Sequence, residues 1–163
     1  MNKKNIILFM PTIDIGGVEK NFIIIANYLS NKFESVSVIT TTFKKKSYFS
    51  KKILFISTKS KFIQNLSRRL KFVIGLILLF KALLENKNNL VLSFQANIYC
   101  VYLCKLMNSK IIVRSNSSPT GWSKNVLKNF IYKNALSICD ALIVNSYEFK
   151  SLIKMKFRVN PEC

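Results

Sequence analysis

The sequence has no histidine, only seven acidic residues against 26 lysines and arginines, and just four glycines and three prolines in 163 positions. Without histidine, the commonest general base near neutral pH is missing, and so is the nitrogen ligand of a mixed zinc site. The four cysteines, Cys100, Cys104, Cys139 and Cys163, include no C-x-x-C pair. Cys100 and Cys104 lie one helical turn apart, which fits buried or incidental thiols in a reducing compartment better than a metal centre. No Pro/Gly/Ser-rich linker and no internal repeat divides the chain, so residues 1–163 read as one domain with its own core. The longest uncharged apolar run, Phe72 to Phe80, falls far short of the roughly 20 residues that span a bilayer. Pro11 and Asp14 interrupt the first apolar run before it reaches signal-peptide length. A cytoplasmic location is the expectation.

The formal net charge of +19 favours polyanions, anionic membrane surfaces or phosphorylated ligands. Abundant Lys, Asn, Ile and Phe also fit AT-rich coding, which accounts for part of the excess but not for its clustering. No acid lies between Glu34 and Glu85, and basic residues accumulate there among Phe62, Leu66 and Phe72. Lys44, Lys45, Lys46, Lys61, Arg68, Arg69 and Lys71 are the candidates for contact with the headgroups of an anionic membrane on its cytosolic face. The alternative is a solvated face.

The segment Ile6 to Lys20, IILFMPTIDIGGVEK, organises the rest. Its unbroken apolar start reads as a strand covered on both faces, and Pro11 ends it by removing a backbone donor. Gly16 and Gly17 then open a helix with Phe22, Ile23, Ala26 and Leu29 as its apolar set. Two glycines at a helix start permit unusual backbone conformations and close approach of a ligand, and the free N–H groups suit an anion. A tight turn that binds nothing fits the same residues. Further strands are expected at 35–40, 53–56, 90–94, 110–114 and 141–144. Helices are expected at about 61–85, 97–107, 123–137 and 147–156, with a basic loop from Thr41 to Lys52. Alternating strands and helices with continuously apolar strands predict an α/β, Rossmann-like parallel sheet with helices on both faces. The link from the second to the third strand is too short for a helix.

Ligands of such sheets collect at the carboxyl ends of the strands, beside the point where strand order reverses. Pro11–Glu19, Ser93–Asn97, Arg114–Trp122 and Asn145–Glu148 are expected to meet there. Within them, Arg114 offers a planar fork for a phosphate or carboxylate in a chain where acids are scarce. Glu19 suits either an acceptor hydroxyl or the dipole of its helix. Asn116 and Ser118 bind ligand or only shape a loop, and Asn145 ends the sixth strand. Ser146 reads as the cap of the last helix.

Three segments carry a family resemblance: ILFMPTIDIGGVEKNFIIIANYL, RSNSSPTGW and DALIVNSYEFKSLI. In this order they resemble the opening diglycine region, the loop after the fifth strand and the final strand–helix of the N-terminal domain of family-4 glycosyltransferases of the GT-B fold. The resemblance covers nearly the whole chain. It implies an acceptor-side domain facing a second, donor-binding domain across a cleft, and transfer of a sugar from a nucleotide-sugar donor, with retention, to a glycan or lipid-linked acceptor, as in cell-surface polysaccharide or lipopolysaccharide synthesis. It implies no metal or other cofactor, with Gly16, Gly17, Glu19, Arg114, Asn116, Ser118 and Asn145 as substrate-binding candidates. The family's Glu-x7-Glu donor signature is not in the sequence, so the chain reads as half an enzyme (a separately encoded half with a C-terminal domain as partner, a truncated product or an incomplete reading), and it is expected to be inactive alone. The histidine that many members place near the reacting sugar is also missing, which leaves the catalytic residue unassigned.

Other classes fit less well. A nucleic-acid-binding module lacks any recognition motif or aromatic stacking frame among its basic residues, so no nucleic-acid partner is expected. A dinucleotide oxidoreductase would need G-x-G-x-x-G and an acid after the second strand; the chain has IGGVEK and Thr40-Thr41-Thr42. A non-catalytic accessory or relic domain that binds a phosphorylated ligand or an anionic membrane is the remaining alternative.

Overall fold

The apolar runs form the strands of one sheet. The computed structural model describes residues 5–85, 89–95, 97–118 and 125–159. Its strands are β1 (Asn5–Phe9), β2 (Ser35–Ile39), β3 (Leu54–Ile56), β4 (Asn89–Ser93), β5 (Lys110–Arg114) and β6 (Ala141–Ile143). They lie in the order β3-β2-β1-β4-β5-β6, all parallel. The helices are α1 (Gly17–Leu29), α2 (Lys61–Gln64), α3 (Arg68–Glu85), α4 (Asn97–Leu106), α5 (Val126–Ile138) and α6 (Tyr147–Phe157). The fold is therefore α/β and Rossmann-like, with its switch point between β1 and β4, where Phe9 pairs with Ile39 on one side and Ser93 on the other.

Alternate strand residues enter two cores. Ile7, Phe9, Val91, Ile111, Val113 and Leu142 pack with Leu79, Cys100, Cys104, Ala135 and Ile153 from α3, α4, α5 and α6. Ile6, Leu8, Val36, Val38 and Leu92 pack with Phe22 and Ala26 of α1 and with Phe49. Three aromatic rings hold this second core together: Phe22 meets Phe94 edge-on at 4.9 Å and Phe49 at 6.0 Å. Cys100 and Cys104 are buried free thiols. Desolvation pushes Cys104 up to about 12 and Cys100 well above its ordinary value. Cys163 lies outside the described residues.

The structure corrects three expectations. The basic link after β2 is not all loop: residues Phe43–Tyr48 form a 3₁₀ helix, short enough to carry the chain from β2 to the parallel β3. The long helix expected from Lys61 is broken after Gln64. Asn65 and Leu66 donate to carbonyls three residues back, Phe62 and Ile63. The Gln64 amide is drawn off to the Thr41 and Thr58 carbonyls, and the intervening Asn65 and Ser67 favour such local bonding over continued helix. The helix expected at 123–137 begins at Val126, capped by Asn125, whose side chain accepts the Lys128 N–H at 3.1 Å; residues 123 and 124 lie outside the described residues.

The exit of β1 is held from two sides. The Pro11 carbonyl accepts both the backbone N–H of Thr41, at 2.9 Å, and its hydroxyl, at 2.7 Å. From the other side α3 comes so close at Gly75 that an added Cβ would lie 3.2 Å from Pro11 Cβ and 3.4 Å from Phe9 Cζ. Glycine's helix penalty at that position is thus the cost of close approach. Ser93 Oγ lies 2.8 Å from Asn97 Oδ1, and Asn97 Nδ2 donates to the Arg114 carbonyl at 2.9 Å, joining the ends of β4 and β5. At the opposite end of the sheet, Asp140 Oδ2 accepts the Ile111 N–H at 2.7 Å and the Lys105 ammonium at 2.8 Å. Burial acts to raise the Asp140 pKa, but the Lys105 ammonium and the Ile111 N–H outweigh it and hold the carboxyl below its ordinary value.

Thr41→Val is expected to cost about 1 kcal/mol, one net hydrogen bond, seen as a lower urea midpoint at unchanged slope. An unchanged midpoint would show that the Thr41 N–H and the Thr40 hydroxyl, 3.4 Å away, satisfy Pro11 without the Thr41 hydroxyl. Asp140→Asn is expected to destabilise the protein at neutral pH. Because the folded-state pKa is depressed, that advantage of the wild type is present above the unfolded carboxylate value and vanishes as pH falls through the folded one. Denaturation of both proteins across the acid range checks this; a gap that persists in acid contradicts it.

Candidate functional site

The carboxyl ends of β1, β4 and β5 open into a cleft of about 560 Å³ at the switch point, within the usual range for small-molecule sites. Val18 and Glu19 at the start of α1 form one wall, and Arg68 and Phe72 at the start of α3 another. Phe94, Gln95, Asn97 and Tyr99 come from the β4–α4 junction, Ser115, Asn116 and Ser117 from the loop after β5, and Tyr132 from α5. The loop from β1 is fastened over this end, with the Ile13 N–H donating to Thr42 Oγ1 at 3.0 Å and Thr12 Oγ1 to Gln95 Oε1 at 3.4 Å.

Of the expected substrate-binding residues, Glu19 and Asn116 line the cleft. Asn116 Nδ2 donates to the Phe94 carbonyl at 2.8 Å. That bond fixes the side chain and leaves Oδ1 buried without a hydrogen-bond partner among the described residues. Such an orphaned acceptor is costly to keep unless something else donates to it. The Glu19 carboxylate folds back over the helix start: a Cβ added at Gly16 would lie 2.5 Å from its Oε2. Gly16 has an extended backbone that any residue adopts, and no described glycine has positive φ. The conformational reason expected for the diglycine is therefore corrected to a spatial one. Gly16 leaves room for Glu19, and a Cβ at Gly17 would meet nothing within 4 Å.

Arg114 and Asn145 come together, but on the α1 face of the sheet rather than in the lining of the cleft. Arg114 Nη2 donates to Asn145 Oδ1 at 3.3 Å, and the guanidinium sits 5.2 Å from the centre of the Phe94 ring. Its Nε and Nη1 are buried without partners among the described residues. Desolvation lowers its pKa, and the group stays charged at neutral pH. Phe94 also lines the cleft, whereas Arg114 does not. Ser118 is partly exposed at the edge of the described loop and does not line the cleft; Pro119 to Trp122 lie outside the described residues. Ser146 caps α6, accepting the Phe149 N–H at 3.2 Å.

The seven basic candidates divide into two groups. Lys44 and Lys46 line a separate groove of about 850 Å³ floored by Phe49 and Phe55 beside β3, with Lys45 over the Tyr48 ring. Lys61, Arg68, Arg69 and Lys71 belong to α2 and α3. Arg68, a membrane candidate by sequence, also lines the cleft, over the Phe72 ring. Its place there depends on where α3 lands after crossing the sheet, and no local motif signals it. The Ser93–Asn97 link escaped the sequence for the same reason: only Asn97's partner on β5 gives it meaning.

Compared with models of known protein families and with curated proteins, the chain matches none. The class that the structure itself defines is that of a Rossmann-like α/β domain with a cleft at its switch point.

Arg114→Met keeps contact with Phe94 and removes two orphaned donors. It is expected to raise stability by about 0.5–1 kcal/mol, as when an unsatisfied buried group is replaced by an apolar one. Chemical denaturation measures this, and a loss of stability would mean that the guanidinium is structural.

Proposed function

We propose that the cleft is the acceptor side of a retaining glycosyltransferase that works with a donor-binding domain. The near-neutral lining of the cleft is the observation that supports this reading. In a chain of net charge +19, the described lining contains one cation, Arg68, and one carboxylate, Glu19; the rest is neutral, with polar side chains such as Gln95 and Asn116, the rings of Phe72, Phe94, Tyr99 and Tyr132, and the aliphatic Val18, Ile98, Val113 and Leu136. That lining suits hydroxyl groups and the faces of sugar rings better than a free phosphate. Asn116 Oδ1 accepts a hydroxyl proton of the acceptor, and its amide is already fixed by Phe94. Glu19 accepts a second. Because its carboxylate occupies the start of α1, a phosphate there would meet a like charge; the diglycine corner is therefore assigned to the acceptor.

The same charge argument makes an accessory domain binding a phosphorylated ligand the weaker reading. Arg114 is half-buried and lies outside the cleft lining, so the leaving diphosphate is assigned to the donor-binding domain, where a preorganised donor stabilises its developing charge. No protein base is needed if the donor's own phosphate takes the acceptor proton, as the family resemblance implies. Holding two substrates in mutual orientation contributes roughly 7–11 kcal/mol to such a reaction, and this cleft orients one of them.

The chain alone is expected to transfer no sugar from labelled nucleotide sugars to lipid or oligosaccharide acceptors, and a compatible donor-binding domain, fused or added, is expected to restore transfer. In that reconstituted enzyme Asn116→Ala is expected to lower kcat/KM about tenfold or more, the effect of one lost hydrogen bond to a reacting substrate. Gly17→Val is expected to fold normally and to block the acceptor. Turnover by the chain alone would refute the two-domain reading, and no turnover with any donor domain would favour the accessory one.

A further inference from the structure

The face of α3 turned away from the sheet is as apolar as the face turned toward it. Gly75, Leu79, Ala82 and Leu83 are buried, whereas Leu70, Val73, Ile77, Phe80 and Leu84, on the opposite side of the helix, are 39–56% exposed. A surface helix ordinarily carries charge there, and a helix apolar all round is normally covered. The stripe is not isolated. α4 lies between α3 and α5, and both neighbours add exposed apolar residues: Tyr99 and Leu106 from α4, Leu127 and Phe130 from α5. Patches of this extent mark an interaction surface.

We infer that this face docks the protein onto an anionic lipid bilayer, with α3 lying in the plane of the interface. Charge decides among occupants. Arg69 and Lys81 flank the stripe, and Lys61, Arg68 and Lys71 cluster at its amino-terminal end, with no acid before Glu85. Long basic side chains beside an apolar stripe reach headgroup phosphates while the stripe enters the acyl boundary. A second copy of the chain would bring another +19 against the first and is disfavoured by repulsion. No helix among the described residues is long and apolar enough to cross a membrane, so the contact is peripheral. Arg68, Phe72 and Tyr99 line the cleft from α3 and α4, so docking by this face brings the cleft mouth to the headgroup layer. The surface stands whatever the cleft binds.

The test is sedimentation of the full chain with vesicles of equal parts phosphatidylcholine and phosphatidylglycerol, against vesicles of phosphatidylcholine alone. The expected result is partitioning about tenfold or more in favour of the anionic vesicles, given several basic residues at the surface, reduced by added salt. Val73→Asp and Ile77→Asp, at exposed positions, are expected to abolish binding with an unchanged far-UV circular dichroism spectrum. Equal recovery with both vesicle types, or undiminished binding by the folded aspartate variants, would overturn the proposal. So would a stable dimer in sedimentation velocity that Ile77→Asp dissociates, which would assign the face to a second copy.

Discussion

The carbonyl of Pro11 is the point on which the functional end of the molecule hangs. Proline has no N–H to donate, and its remaining polar group, the carbonyl, lies in a buried residue and must find donors. Both donors of Thr41 converge on that carbonyl, which ties the exit of the central strand to the exit of its neighbour. With the backbone so fixed, Gly75 of α3 packs directly on the proline ring. One residue thus sets the direction in which the diglycine loop leaves the sheet and the height at which α3 crosses it. Glu19 and Arg68 owe their places on facing walls of the cleft to those two settings.

Charge is distributed with equal economy. Several basic side chains lie away from the cleft, Lys45 and Lys59 over aromatic rings and Lys44, Lys46 and Lys51 beside an apolar groove, and among the described lining residues Arg68 is the one cation. Arg114, also outside the lining, is a half-buried cation with a ring beneath it and an amide on one nitrogen. Neutral partners orient it without neutralising it. A carboxylate in place of Asn145 would have made the pair self-sufficient.

The strands and their parallel arrangement could be read directly, because residues such as Ile111 and Val113 on one face and Ile112 on the other are apolar for a local reason that survives into the fold. The capping role of Ser146 and the meeting of Arg114 with Asn145 were legible for the same reason: each follows from a strand end. The break after Gln64 was only partly legible: the polar Asn65 and Ser67 mark it locally, but the carbonyls that take the Gln64 side-chain amide lie 23 and 6 residues away. Gly75 is unfavourable in a helix by propensity alone, and only the Pro11 ring beneath it accounts for it. The diglycine misled in another way. Of the torsional freedom and the close approach that the sequence suggests, the structure uses no torsional freedom, and missing side-chain volume makes room for Glu19 at Gly16 alone. The double apolar character of α3 lay in plain view in the run from Phe72 to Phe80, but which half of it faces outward is a property of the packed sheet.

The three described cysteines give the fold a built-in gauge. Cys100 and Cys104 sit on the inner side of α4, the helix that also carries Asn97 and Tyr99 of the cleft wall. A thiol held at about 12 offers almost no thiolate at neutral pH, and thiolate is the species that alkylating reagents capture. Modification of Cys104 therefore has to wait for α4 to lift from the sheet, and its rate counts those excursions. Cys139 is only partly buried, and although desolvation raises its thiol too, its labelling needs a smaller movement and serves as the reference. The ratio of the two rates is a measure of how often the cleft loses its wall, obtained without any ligand in hand.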